Sequence, residues 1–367
     1  MKILYVIPAL SNGGIEKMVE NWISQAISKG HKCDILAFNR GDNLSFSKMG
    51  CSIYECDVKS IHLISSKIKL NRFFSEHKDY DVVHSNVGFL GGMVSCEAKK
   101  ICPSIKTVCH AHLNGRNSYS SFVSRIINES VQKRYSYLIK RYSDMNLACS
   151  YQSGDYLFGS RDNYVFFPNA IDTVKFRFNS QDRFNYRRDF GIPESDIIII
   201  HVGRFSREKN HKFLLSVFES IAQHKRNVHL VLVGDGEGKN ELENACSRNM
   251  LLKDRVHFLG FRMDVAQLFS MADIFVLPSL IEGFPVSVVE AQCNGLSCVV
   301  SDATPEEAVL TNSTIRLSLD KGIEEWATII SDLDVNIERN KQEEVVSNRG
   351  FSMSDSANTL MNYYKVN

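Results

Sequence analysis

The stretch Ala272-Asp-Ile-Phe-Val-Leu-Pro278-Ser-Leu-Ile-Glu282-Gly-Phe-Pro285-Val-Ser-Val-Val-Glu290-Ala-Gln-Cys-Asn294-Gly295 decides how the chain reads. A short, continuously apolar run ends near Pro278, as a strand buried on both faces does. A polar loop carries Glu282. Pro285 suits the first turn of a helix, where its missing N–H is not needed, and Asn294-Gly295 supplies the stop. Such a helix aims free N–H groups and the positive end of its dipole at whatever lies past the strand, a ready place for phosphate. Glu282 precedes the helix and Glu290 lies more than a turn inside it, so the two carboxylates are placed to meet different parts of one ligand. Spacing alone reads equally well as a capping carboxylate plus an exposed helix glutamate.

The strand–helix unit repeats outward in both directions. Strand candidates in the first half are Ile3–Ile7, Lys32–Phe38, Val82–His84, Thr107–His110 and Met145–Ala148. In the second half they are Ile197–Val202, His229–Val233, Val256–Leu259, Ile274–Leu277 and Ser297–Val300. Apolar strands alternating with helices predict an α/β fold with two parallel sheets, each covered on both faces. The 367 residues exceed what one core usually serves. A charged stretch poor in aliphatic residues, Asn179 to Asp189, reads as a linker, which puts the boundary near residues 173–192. The expected domains are 1–175 and 190–349. In open parallel sheets ligands bind outside the carboxyl ends of the strands, so the loops there are where chemistry is sought.

Composition narrows the classes. The net charge of +1 makes no electrostatic case for nucleic acid. No apolar run approaches the ~20 residues of a membrane span. The N-terminal run is broken by Pro8 and fits a first strand better than a signal peptide. The ten cysteines form no Cys-x-x-Cys pair, and several sit inside apolar runs. They read as reduced core thiols of a cytosolic protein.

Three further loops follow strands in the second half. In Val202-Gly203-Arg204-Phe205-Ser-Arg207-Glu208-Lys209-Asn210-His211, Arg204 and Lys209 put two cations at a strand's carboxyl end, where an anionic group such as phosphate could sit. Arg207 is placed to share the role. Leu232-Val-Gly234-Asp235-Gly236-Glu237 lets backbone approach a ligand closely, or is a plain turn. Phe261-Arg262 follows Phe258-Leu-Gly260. In the first half, Ser11-Asn12-Gly13-Gly14-Ile15-Glu16 opens a helix but lacks the full Gly-x-Gly-x-x-Gly of a dinucleotide site. Val108-Cys-His110-Ala-His112-Leu-Asn114 puts both imidazoles on one side of a strand, with no third metal ligand in view. His84 reads as structural or as a cleft-wall residue.

Taken together, these segments resemble the retaining glycosyltransferase family 4 (group 1), over roughly residues 3–302. Glu282 and Glu290 match the family's Glu-x7-Glu, and Gly203-Arg204…Lys209-Asn210 its Gly-Arg-x4-Lys segment. Leu147-Ala-Cys-Ser150 and Pro168-Asn169-Ala170-Ile171-Asp172 match two landmarks, with Ala170 where a glycine is usual. The resemblance implies a GT-B fold, two doubly wound Rossmann-like domains facing a central cleft, with segment 350–367 packing back on the first. It implies that Glu282 binds donor-sugar hydroxyls and Glu290 the nucleotide ribose. Backbone of Gly283, Phe284 and Pro285 would touch the sugar, and N–H groups near Val286, Ser287 and Val288 would hold the diphosphate. Gly13 and Gly14 would lie beside donor phosphate and acceptor. Gly234 would border the nucleotide, and Phe261 and Arg262 the base. His112, with His110 second, would hydrogen-bond the sugar as a neutral imidazole.

The function expected is transfer of a sugar from a nucleotide-sugar donor, a UDP-sugar, to a saccharide or lipid-linked saccharide acceptor in bacterial surface-polysaccharide synthesis. No cofactor and no metal is expected. Two other readings stand beside it: a nucleotide-sugar epimerase of similar architecture, and a non-catalytic sugar-nucleotide-binding subunit. Residues 115–142 carry six Arg and Lys against Glu129, with aromatic and aliphatic residues interleaved. They read equally as a surface lying on anionic lipid or as a helix with a solvated basic face. The expected place is the cytoplasm, with peripheral contact at the inner face of the membrane if 115–142 binds lipid.

Overall fold

The computed structural model describes residues 1–11, 13–41, 45–59, 62–112, 122–335 and 338–365, with backbone alone for 122–131. It divides into two compact units, Met1–Ala170 with Met353–Asn367, and Ile171–Ser352.

The first unit holds seven parallel strands: β1 (Lys2–Ala9), β2 (Lys32–Asn39), β3 (Ile53–Glu55), β4 (Val82–Ser85), β5 (Lys106–Ala111), β6 (Met145–Ala148) and β7 (Val165–Phe166). Their order is β3-β2-β1-β4-β5-β6-β7. The apolar run of β1 is needed because both its faces are covered. Ile3, Tyr5 and Ile7 enter one core with Trp22 and Leu360, while Leu4 and Val6 enter another with Phe74 and Met93. The second unit holds β8 (Ile197–Val202), β9 (Val228–Val233), β10 (Val256–Gly260), β11 (Ile274–Leu277), β12 (Ser297–Ser301) and β13 (Thr314–Leu317), ordered β10-β9-β8-β11-β12-β13. Ile199, Leu230, Val276 and Val299 pack with Phe218 and Trp326 on one face. In each sheet the strand order reverses at a neighbouring pair, β1/β4 and β8/β11, which opens a crevice at the carboxyl ends there.

The sequence pattern misses β3, β7 and β13. They are edge strands of three, two and four residues, too short to show a continuous apolar run.

The boundary is the main correction. Residues 171–175 and 179–189, expected in the first domain and in a linker, belong to the second unit. The polar stretch is the helix Ser180–Phe190, capped by the side chain of Asn179 and stopped by Gly191 at φ 65°. Its composition hides a clamp. Arg187, 2% exposed, places Nη2 at 2.6 Å from Asp273 Oδ2 and donates to the carbonyls of Met271, Pro193 and Asp196. A buried guanidinium with this many acceptors is a structural anchor, and no apolar periodicity announces it.

The end of the chain forms the helix Met353–Lys365 in the first unit, where Leu360 and Tyr364 are buried. All ten cysteines are free thiols, eight of them buried.

Candidate active site

The second unit brings two of the expected loops into contact. After β8 the chain makes a 3-10 turn, Arg207–Lys209, and Asn210 then takes the left-handed conformation, φ 56° and ψ 42°. Asparagine tolerates this region better than other residues with a side chain. Its Nδ2 donates to the carbonyl of Pro278 at 3.1 Å, while Leu280 N–H donates to Glu208 O at 2.7 Å. These two bonds tie the loop after β8 to the loop after β11, at the switch point.

That tie sets Lys209 Nζ at 2.6 Å from Glu282 Oε1. The same oxygen accepts from Ser279 Oγ at 2.5 Å, and Ser301 Oγ donates to Ser279 O at 2.6 Å. Glu282 is 7% exposed and the Lys209 side chain 20%. A carboxylate held from two sides has a fixed direction before any ligand arrives. Ser279, Asn210 and Ser301 were not singled out as functional: a serine or asparagine after a strand carries no signal by itself.

Pro285 differs by one position from the expectation. With φ −78° and ψ 95° it is the flanking residue, and the helix is Val286–Cys293. The N–H groups of Val286 and Ser287 lead into its first turn, free of intrahelical partners by position. Val288 N–H is engaged by Pro285 O at 3.1 Å. Phe284 is buried and stacks on Phe351, centroids 5.8 Å apart, which anchors the loop that carries Gly283. Glu290 lies partly buried one helical turn on.

Arg204 is exposed on the loop after β8. The backbone beside it is laced to the loop after β9: Phe205 N–H donates to Asp235 O at 2.9 Å and Gly238 N–H to Phe205 O at 3.0 Å. The approach is close enough that a Cβ on Gly234, at φ 138°, would stand 2.0 Å from Gly203 O. Phe261 is 65% exposed, whereas Arg262 is engaged by both carboxylate oxygens of Asp264. The Arg262 guanidinium holds Asp264 down to about 2.

The first unit carries the other expected residues. Gly13 caps the helix Gly14–Ser28, and the buried Glu16 folds back on it, bonded by the Gly13 backbone and the Ser11 side chain. A Cβ on Gly13 would meet Glu16 Oε2 at 2.5 Å, while one on Gly14 would meet open space. Burial pushes the Glu16 carboxyl up.

His84, His110 and His112 form a buried ladder on β4, β5 and the residue after it. His84 Nδ1 lies 2.6 Å from Tyr364 Oη, its Nε2 3.3 Å from His110 Nδ1, and the rings of His110 and His112 are 4.2 Å apart. Trp22 stacks on both His84 and His110. Desolvation pushes His84 and His112 down to about 3, so both are neutral imidazoles. Among the described residues no group of three His, Cys, Asp or Glu side chains is arranged to hold a metal.

Of the basic segment 115–142, residues 115–121 and the side chains of 122–131 lie outside the described residues. In the remainder of the helix Phe122–Tyr142, Tyr135 and Ile139 are buried while Lys133, Arg134, Lys140 and Arg141 are exposed. No described helix is long and apolar enough to cross a membrane.

Two parallel-sheet units of this topology are the architecture of the GT-B glycosyltransferases. The family models agree: "Glycosyltransferase Family 4" matches residues 12–175 and "Glycosyl transferases group 1" residues 182–349. The chain belongs to the family 4 (group 1) glycosyltransferases. It is 29% identical to the putative glycosyltransferase EpsF of Bacillus subtilis (strain 168), over 100% of this chain and 96% of that one. It is 27% identical to the UDP-Gal:alpha-D-GlcNAc-diphosphoundecaprenol alpha-1,3-galactosyltransferase of Escherichia coli, over 70% of this chain and 66% of that one. The crystal structure of Anabaena Alr3699/HepE in complex with UDP shares the fold, with TM-score 0.80 and 19% identity over 99% of both chains.

Proposed function

We propose that the protein transfers a sugar from a UDP-sugar to a hydroxyl of a lipid-linked saccharide, with retention of anomeric configuration and without a metal, in bacterial surface-polysaccharide synthesis. The observation that carries this reading is the prearranged Lys209–Glu282 pair beside the N-terminus of the helix Val286–Cys293. Cationic and carboxylate groups meet at one strand end, as a donor with a diphosphate at one end and hydroxyls at the other requires.

In this scheme the acceptor hydroxyl attacks the anomeric carbon on the face the nucleotide leaves. The C–O bond to phosphate breaks, the new glycosidic bond forms, and the departing phosphate oxygen takes the hydroxyl proton. Arg204, Lys209 and the N–H groups of Val286 and Ser287 stabilise the charge on the leaving diphosphate. Glu282 accepts from sugar hydroxyls, beside the backbone of Gly283, Phe284 and Pro285. Glu290 accepts from the ribose, and Gly234 and Phe261 flank the nucleoside. Arg262 acts there through Asp264, or after giving up that pair. In the first unit, His112 hydrogen-bonds a sugar hydroxyl. Neither glutamate forms a covalent intermediate, unlike the paired carboxylates of retaining glycoside hydrolases.

The names of relatives support the substrate class: one takes UDP-Gal to a diphosphoundecaprenol-linked GlcNAc, and the HepE structure holds UDP. A lipid-linked acceptor gives the exposed basic face around Lys133 and Arg134 a purpose, as a peripheral contact with anionic lipid at the inner face of the cytoplasmic membrane.

The deciding experiment offers labelled UDP-sugars with and without undecaprenyl-diphosphate-linked saccharides, in buffer containing a chelator, and reads the anomeric configuration of the product. Acceptor-dependent transfer with retention is expected. Inversion, an absolute requirement for divalent metal, or donor consumption without acceptor would each overturn the corresponding part.

A further inference from the structure

Asn86 follows β4 and His112 follows β5, its neighbour in the sheet, so the two side chains share one crevice end. Asn86 is 2% exposed and His112 8%. The backbone of Asn86 is fixed by its N–H donating to Val6 O at 2.8 Å. Its amide has one sensible orientation. Nδ2 faces the carbonyl of His84 at 3.5 Å, and the flipped amide would set oxygen against oxygen. Oδ1 therefore faces His112 Nε2, at 2.9 Å. A carbonyl oxygen can only accept, so Nε2 carries the proton. A neutral imidazole has one N–H, which leaves Nδ1 a bare lone pair. Nδ1 is buried and has no hydrogen-bond partner among the described residues. The His110 ring lies 4.2 Å away, tilted at 35°, and is not hydrogen-bonded to it.

We infer that Asn86 is a positioning residue that holds His112 in the Nε2–H tautomer, so that Nδ1 receives a hydrogen from a hydroxyl of the sugar. This rests on the reading of His112 as a sugar contact. A ligand group that donates a hydrogen satisfies Nδ1, whereas one that can only accept does not. Burial, which keeps the ring neutral, supports the assignment.

The test has two arms. Protein carrying 15N-labelled histidine is read by long-range 1H–15N correlation, with His112 assigned from the peak lost in His112→Gln. A protonated Nε2 and bare Nδ1 are expected, and a protonated Nδ1 overturns the proposal. Turnover is then compared in Asn86→Leu and Asn86→Asp. The first removes the acceptor, and we expect mixed tautomers and a kcat lower by about tenfold, with the KM for acceptor unchanged. The second keeps an oxygen opposite Nε2–H and should restore both the tautomer and most of the turnover. A wild-type tautomer in Asn86→Leu overturns the role of Asn86, as does Leu-level turnover in an Asn86→Asp protein with the wild-type tautomer. Should Asn86→Leu fail to fold, the wild-type spectrum decides alone. Unchanged turnover in His112→Gln would defeat the sugar contact while leaving the tautomer assignment standing, so the two failures are separable.

Discussion

Lys209 and Glu282 hold each other at 2.6 Å, with Ser279 on the same carboxylate oxygen. Two roles are built into one pair: Lys209 brings positive charge to the diphosphate, and Glu282 is held in one direction. Glu282→Ala and Lys209→Ala are therefore each expected to lower kcat by about 100-fold or more, while circular dichroism and thermal melting show a folded protein. Near-normal turnover in both would overturn the site assignment. Ser279→Ala removes only the second tether on Glu282 and is expected to cost a smaller factor, about tenfold, read as a fall in kcat with the donor KM little changed. The pair is not additive: after Glu282→Ala, the further change Lys209→Ala should cost less than it does alone, which a double-mutant cycle measures directly.

Among the elements, the loop after β9 and the helix Ser180–Phe190 make opposite kinds of demand. Gly234 sits at φ 138° with Gly203 O where a Cβ would go, so no side chain fits without moving one strand-end loop off the other. Gly234→Ala should lower stability by about 2 kcal/mol and weaken UDP binding in calorimetry, because the loop bearing Arg204 moves with it. Unaltered UDP affinity would remove this loop from the donor site. The helix depends instead on buried charge. Arg187→Ala takes the more buried of two guanidinium partners from the Asp273 carboxylate, which also accepts from Ile198 N–H, and is expected to cost about 3–5 kcal/mol in denaturant unfolding. Asp273 also pairs with Arg183, so a loss below this range would show that Arg183 takes over.

On the scale of the whole molecule, buried histidines set the response to acid. His84 and His112 are pushed down to about 3 and His211 to about 4, and His110 and His201 lie well below the ordinary value of 6.5, all chiefly by desolvation. The unfolded chain protonates these rings as pH falls through about 6.5, and the folded chain does not. The unfolded state then holds more protons, so stability is lost on acidification, by at most about 1.4 kcal/mol per pH unit for each ring. The thermal midpoint should be flat above about pH 7 and fall steadily toward about pH 5. His211→Gln removes one such ring and should flatten that slope. A midpoint insensitive to acid over this range would mean the rings are protonated when folded.

The sequence by itself determined the alternation of strand and helix, the two parallel sheets, and the positions of Arg204, Lys209, Glu282 and Glu290, because buried parallel strands need unbroken apolar runs and the loops after them have to be polar. Family resemblance then assigned chemistry to those loops. Other features had no local signature. The edge strands β3, β7 and β13 are two to four residues long, too short for an apolar run, and the Arg187 clamp sits in a stretch whose composition reads as linker. Asn210 bridging to Pro278, Lys209 on Glu282, and Asn86 on His112 each join residues from different strand ends. A hydrogen bond is short and directional, so it depends on where two strands finish relative to each other. Only the tertiary structure decides that.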